Sequence, residues 1–362
     1  MVKSKIFKCD FLHSVSWWFS GKENAICLND VVGSRDNNLD LIRFVAALAV
    51  IIGHSYTICL GPDYSDFLSD FTGGGVGLGG LAVGVFFLFG GFLIAKSADG
   101  RRTPKAYFKA RCLRIFPQLI FVVVLLSFVF GPLLSSLSFF EYFSNSQTYI
   151  YLTNAVFILQ HNLPGVFEGN IYPQVVNGPL WTLPVEFVCY ILCFIYLKAT
   201  GFKKRSFAVA SLACLGGCLV YFTFFNGVLW SAVRAVLLFY IGVAFYVYRD
   251  CIYINRVCGV ASLALFVVLL FAHLSTVAML FVFPYLAFYL GYATKRKFSN
   301  FGKHGEFSYG IYLWGWPIQQ TLCQLGGGSM PQWLNAIMAC VIALGFGILN
   351  YWIVDKNMKR FS

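Results

Sequence analysis

Two basic side chains stand in a stretch that is largely apolar. Arg43 and His54 lie eleven positions apart in LDLIRFVAALAVIIGHSYTICL, residues 39–60. On an α-helix that spacing rotates them by only about 20° and separates them by about 16 Å along the axis, so they share a face. The stretch is long enough to cross a membrane. Ionisable groups inside a span are costly, and they face a bundle interior or a water-filled cavity. His54, deep in the span, suits general base chemistry near neutral pH. The simpler reading of His54 is a buried histidine bonded to a backbone carbonyl or a neighbouring helix. For Arg43 it is a pair with Asp40, three residues earlier.

Further chemistry-bearing residues cluster in three places. Arg111 and Arg114, three apart and so on one helix face, follow Lys105 and Lys109 just before Pro117, which is taken to open a span. Guanidinium groups grip phosphate oxygens in a bidentate manner, so the group suits a polyphosphate ligand; the plainer reading is charge flanking a membrane segment. In NGPLWTLPVEFVCYI (177–191), Glu186 falls about 9 Å inside the membrane if residues 177–180 mark its edge. A carboxylate there either pairs with a buried cation such as Arg234 or orients a catalytic base. Trp181 and Trp314 fit interfacial anchors. FSYGIYLWGWPIQQ (307–320) puts Tyr309, Tyr312 and Gln319 in a span containing Pro317, which suggests a broken helix lining a cavity. Neither a GxxxxGK[ST] loop nor a GxSxG elbow is present.

The elements that must position these residues are membrane helices. The chain has 362 residues, 59% hydrophobic and only 12% charged, against about 25% charged in a typical soluble domain. The fold class expected is an all-α polytopic membrane protein. Its 12 cysteines include no CxxC pair, and Cys59, Cys189, Cys193, Cys214, Cys218 and Cys340 lie in apolar runs. There cysteine acts as a small hydrophobe, so neither a disulfide framework nor a metal site is expected.

Taken in order, a polar tail over 1–37 with no run of leader quality after Lys8 precedes the first span, so no cleaved leader is expected. Spans follow at 78–95, 115–134, 180–197, 206–225, 228–248, 257–272 and 275–293. A ninth begins near Phe307, and the tenth covers 332–354. The long connection 135–179 is expected outside, with a short interfacial or re-entrant helix over 149–160. Twenty-five of the 27 Lys and Arg fall in the tails and in alternate connections, and the other two are Arg43 and Arg234. By the positive-inside rule that places both termini in the cytoplasm. The net charge of +12 is therefore topology, and nucleic acid is excluded as a partner. The organisation expected is a cytoplasmic tail (1–37), a ten-helix domain (38–355) and a cytoplasmic C-terminal tail (356–362).

These pieces together resemble the integral-membrane acyltransferase 3 family, bacterial enzymes that O-acylate surface sugars and other acceptors. The resemblance runs over about 38–356. It rests on the Arg-x10-His pattern at Arg43 and His54, then FFLFGGFLI (86–94), ARCLRIFPQ (110–118), GPLWTLPVEF (178–187) and FSYGIYLWGWP (307–317), in that order. Two positions depart from it: Gly90 stands where members commonly have Ser, and Gly315 where many have His. No appended extracytoplasmic SGNH-type domain is expected after the last span.

The resemblance implies catalysis by His54, Arg43 and Glu186, with acyl-CoA bound by Arg111, Arg114, Trp181 and Tyr309. It implies acetyl-CoA as donor, no permanently bound cofactor, and a glycan or lipid-linked saccharide acceptor at the outer side. It also implies a bacterial inner-membrane location among membrane lipids, beside glycan-assembly machinery. In this reading His54 takes the proton of the attacking hydroxyl and Glu186 fixes its tautomer. Two other classes share the buried charges: a glycolipid or acyl transporter, which moves substrate without consuming acyl-CoA, and a non-catalytic subunit, in which His54→Ala leaves function intact.

Overall fold

The structure is a computed structural model and describes residues 25–34, 36–100, 103–225, 229–294 and 298–358. Most of the polar tail expected over 1–37, the KRK of the TKRK segment and the last four residues lie outside the described residues. The remainder is almost entirely helical, as it must be where backbone polar groups have to be satisfied inside a membrane.

Ten long helices are present among the described residues: α1 (Leu39–Leu60), α2 (Leu78–Asp99), α3 (Pro104–Leu134), α4 (Gly178–Thr200), α5 (Lys204–Phe225), α6 (Trp230–Val247), α7 (Arg256–Phe271), α8 (Ser275–Tyr292), α9 (Ser308–Leu325) and α10 (Gln332–Met358). Seven of them are long and apolar enough to cross a membrane: α1, α2, α3, α4, α6, α8 and α10. α7 is apolar but has only 16 residues. α9 is polar in composition because protein surrounds it: Gln319 and Gln320 are both fully buried. This is a multi-pass membrane protein. The ten-span count and the cytoplasmic termini carry forward as part of the proposal below. The one sheet among the described residues is a two-residue antiparallel pair, β1 (Ile26–Cys27) with β2 (Tyr253–Ile254).

α2 lies along α6 and α1, while α9 lies along α10 and α1. The α2–α6 approach is so close that only glycine fits on both sides. A Cβ at Gly91 would sit 2.0 Å from the Phe239 carbonyl oxygen, and one at Gly242 2.0 Å from that of Leu88. Small residues allow such contact between membrane helices. α1, α9 and α10 are tied by buried amides: Gln319 donates to the Ile51 carbonyl at 2.8 Å and to Asn335 at 3.0 Å. Large apolar side chains such as Phe281 and Val341 point outward instead, the arrangement a lipid solvent favours.

Three elements differ from the sequence reading. The third helix does not open at Pro117. Thr103 caps it, accepting from the Ala106 amide, and Pro104 begins it, because proline at the first turn sacrifices no hydrogen bond. The basic segment is therefore its first turns. α9 is not broken at Pro317. Proline leaves the carbonyl four residues earlier without its helical partner, and Asn177 supplies one, donating to the Leu313 oxygen at 2.9 Å. Finally, the interfacial helix expected over 149–160 is a short helix, Ser146–Ile150, running into a 3₁₀ turn, Tyr151–Val156. It stops at Phe157, whose φ is +68°.

Residues 170–177 are pinned to α9, with Trp316 donating to the Val175 carbonyl at 2.9 Å and Gln320 to that of Tyr172 at 2.7 Å. This seats the 3₁₀ turn Gly178–Trp181 that opens α4, and with it one wall of the site.

Candidate active site

Two chambers lie inside the helix bundle. The first, about 130 Å³, is walled by α1, α2, α3, α4 and the start of α9. It brings together Arg43, Arg111, Arg114, Glu186 and Tyr309 from four separate sequence motifs, and adds Glu306. Glu306 Oε1 lies 2.9 Å from Arg43 Nη1 and 2.8 Å from Arg114 Nη2, and accepts from Ser308 Oγ at 3.1 Å. Arg43 also meets Asp40 at 2.7 Å, the pairing that the three-residue spacing allows. Burial pushes the Glu306 carboxyl up, yet Arg114 and Arg43 outweigh it and hold it down at about 2.

Two of the cations also rest on aromatic faces. The Arg111 guanidinium lies 5.9 Å from the Tyr107 ring centre and 6.0 Å from that of Tyr190, and Arg114 lies 5.7 Å from that of Tyr309. Such placement helps to hold a guanidinium in a low-dielectric wall. Three guanidinium groups, Arg43, Arg111 and Arg114, line the chamber and present donors to an anionic ligand. Tyr190 donates to the Glu186 carboxyl group, while Arg234, the cation named for it, donates instead to the Gly75 carbonyl at 2.8 Å.

The second chamber, about 150 Å³, holds His54 and Trp181 with Arg234, Ser231, Pro179 and the glycines Gly79 and Gly80. His54 meets the Trp316 ring edge-on, centroids 4.9 Å apart. A Cβ at Gly80 would crowd the Arg234 guanidinium at 2.6 Å, so glycine there makes room for a cation. Thus the two residues of the Arg-x10-His pattern face the same interior yet open into different chambers, and Glu186 shares Arg43's.

Val83, Thr182 and Tyr312 line both chambers and form the partition. The Thr182 and Tyr312 hydroxyls lie 2.7 Å apart, and Tyr312 also reaches the Pro179 carbonyl at 2.9 Å. Trp314 is not an interfacial anchor. It is buried between Phe130 and Phe346, with ring centroids 5.4 and 4.7 Å away.

The two departures have structural readings. Gly90 lines the first chamber, and a Cβ there would meet the Phe239 ring at an ordinary 3.8 Å. A Cβ at Gly315 would lie 2.8 Å from Ile51 Cγ1, so α1 occupies the space a larger residue would need. Sequence reasoning missed Glu306, which stands one residue before the 307–317 motif; a lone acid flanking a span was the available signal.

The family model described as an acyltransferase domain, Acyl_transf_3, matches residues 36–352. Over 340 residues, 91% of this chain and 97% of the relative, the sequence is 27% identical to a protein named O-acetyl transferase from Shigella phage Sf6. Over 195 residues, 52% of each chain, it is 30% identical to Nodulation protein 10 from Rhizobium leguminosarum bv. viciae. No solved structure matches.

Proposed function

The chain belongs to the membrane acyltransferase 3 family and is an O-acyltransferase, and on that premise we propose that it carries an acetyl group from cytoplasmic acetyl-CoA to a hydroxyl of a surface or lipid-linked glycan. The observation that carries the proposal is the pair of abutting chambers, one lined by arginines and one holding the histidine, divided by Thr182 and Tyr312.

Each chamber suits one half of the reaction. Acyl-CoA docks with its phosphates toward Arg111 and Arg114, while Arg43 and Tyr309 line the passage of its pantetheine arm. Arg43 and His54 are separated by a rise of about 16 Å, a distance that arm can cover. The thioester passes the Thr182–Tyr312 partition and meets the acceptor beside His54 and Trp181. His54 removes the proton of the acceptor hydroxyl as its oxygen attacks the thioester carbonyl. The tetrahedral intermediate collapses to the ester, and the leaving thiolate takes the proton back from the imidazolium. Glu186, bonded to Tyr190, contributes to the wall of the donor chamber.

The similarity to a protein named O-acetyl transferase supports acetyl as the group moved. The basic residues at the donor end support cytoplasmic termini and ten spans in a bacterial inner membrane. Separate glycan-assembly proteins would supply the acceptor.

The test is to incubate membranes containing the protein with acetyl-CoA labelled in the acetyl group and with surface glycan. The proposal requires label in an ester, removed by mild base, with one free CoA released per ester. Movement of glycan or acyl group without release of CoA would instead support the transporter reading.

A further inference from the structure

We propose that Cys59 and Cys323 form a disulfide bond in the native protein, stapling α1 to α9 at the end of the bundle remote from the arginine chamber. Their sulfurs lie 3.6 Å apart although 264 residues separate them in sequence. Both are buried, in a small cluster with Ile58 and Trp316. A covalent bond of about 2.05 Å would bring the two sulfurs closer by roughly 1.5 Å.

Position and chemistry both favour the bond. Cys59 stands one residue before the end of α1 and Cys323 two before the end of α9. The connections that follow, 61–77 and 326–331, hold neither Lys nor Arg. By the positive-inside rule they face away from the cytoplasm, toward the compartment where disulfides form and persist. The Asn335 side-chain amide donates to Cys323 Sγ at 3.4 Å.

The oxidant is the disulfide of an extracytoplasmic thiol–disulfide oxidoreductase. The Cys323 thiolate attacks one of its sulfurs to give a mixed disulfide. The Cys59 thiolate then displaces the oxidoreductase sulfur, and the two thiol hydrogens leave as protons. Two electrons pass to the oxidoreductase, whose disulfide becomes a dithiol. Because both sulfurs are buried in the finished fold, exchange takes place while α1 and α9 are still coming together. His54 lies five residues before Cys59, and Trp316 seven before Cys323. The bond therefore holds the two rings in their edge-on contact, whatever the donor and acceptor prove to be.

The experiment uses the full chain, solubilised from membranes in denaturant with N-ethylmaleimide and no reductant, then digested for mass spectrometry. The proposal requires a cross-linked peptide joining Cys59 to Cys323 that separates on reduction. Recovery of both thiols alkylated overturns it, including the case in which a soft metal ion held between them is released. Thermal unfolding of Cys59→Ala, Cys323→Ala and the double variant gives a second reading. Loss of one shared bond lowers the melting temperature equally in all three, whereas additive losses would mean two independent thiols.

Discussion

Arg43 Nη1 lies 2.9 Å from Glu306 Oε1, and the same oxygen takes a second guanidinium, Arg114, at 2.8 Å. One carboxylate thereby joins α1 to α3 through the short connection before α9, and it spaces two cations that would otherwise repel. Glu306→Gln removes that charge and leaves both guanidiniums facing each other. The side chains keep 17–29% of their surface exposed, so solvent softens the penalty relative to a fully buried pair. A loss of about 1–3 kcal/mol is expected, read by thermal unfolding in detergent. An unchanged melting temperature would remove the structural role given to Glu306.

The same carboxylate sets a pH expectation. Its folded value of about 2 lies below the roughly 4.3 of an unperturbed Glu. Its stabilising contribution is therefore complete above the unfolded value and fades as pH falls from there through about 2. Glu306 stays ionised throughout the working range, so the acid limb of kcat/KM near neutrality belongs to another group. Wild type and Glu306→Gln should show that limb at the same pH; a displaced limb would mean that Glu306 titrates during turnover.

The partition is open to a direct test at Tyr312. Tyr312→Phe keeps the ring and loses the bonds to Thr182 and Pro179, which should change turnover by no more than about tenfold. Tyr312→Trp thickens the wall, and misplacing the thioester should cost about 10²-fold or more in kcat. Acyl-CoA binding in the first chamber should survive. Equal loss of donor binding in Tyr312→Trp would mean that the donor does not cross here.

Much of this arrangement is legible in the sequence, and the omissions have physical causes. Continuous apolar runs name the helices, because a membrane demands length and apolarity from each span. The spacing of Arg43 and His54 brings both inward. What it cannot convey is a wall between them, which Thr182 and Tyr312 build from helices 130 residues apart. Arg111 and Arg114 read as a charged connection, since their helical cap, Thr103 with Pro104, lies well before the apolar run. Pro317 reads as a break because the compensating donor, Asn177, comes from a distant loop. Glu306 went unnoticed for the same reason: both its guanidinium partners arrive from other helices.

Gly315 offers a test of packing against Ile51. Gly315→His should be poorly tolerated, because even a Cβ would lie 2.8 Å from Ile51 Cγ1; overpacking of this kind costs about 1–3 kcal/mol. Adding Ile51→Ala opens the space and should recover folded protein in size-exclusion chromatography. A Gly315→His variant that folds normally alone would show that α1 yields at this point.

The most direct measurement compares wild type with His54→Ala, brought to equal protein level in membranes supplied with labelled acetyl-CoA and glycan. The account predicts that ester formation falls by about 10²–10⁴-fold while acyl-CoA still binds the arginine-lined chamber. Ester formation that persists at the wild-type rate in His54→Ala would contradict it.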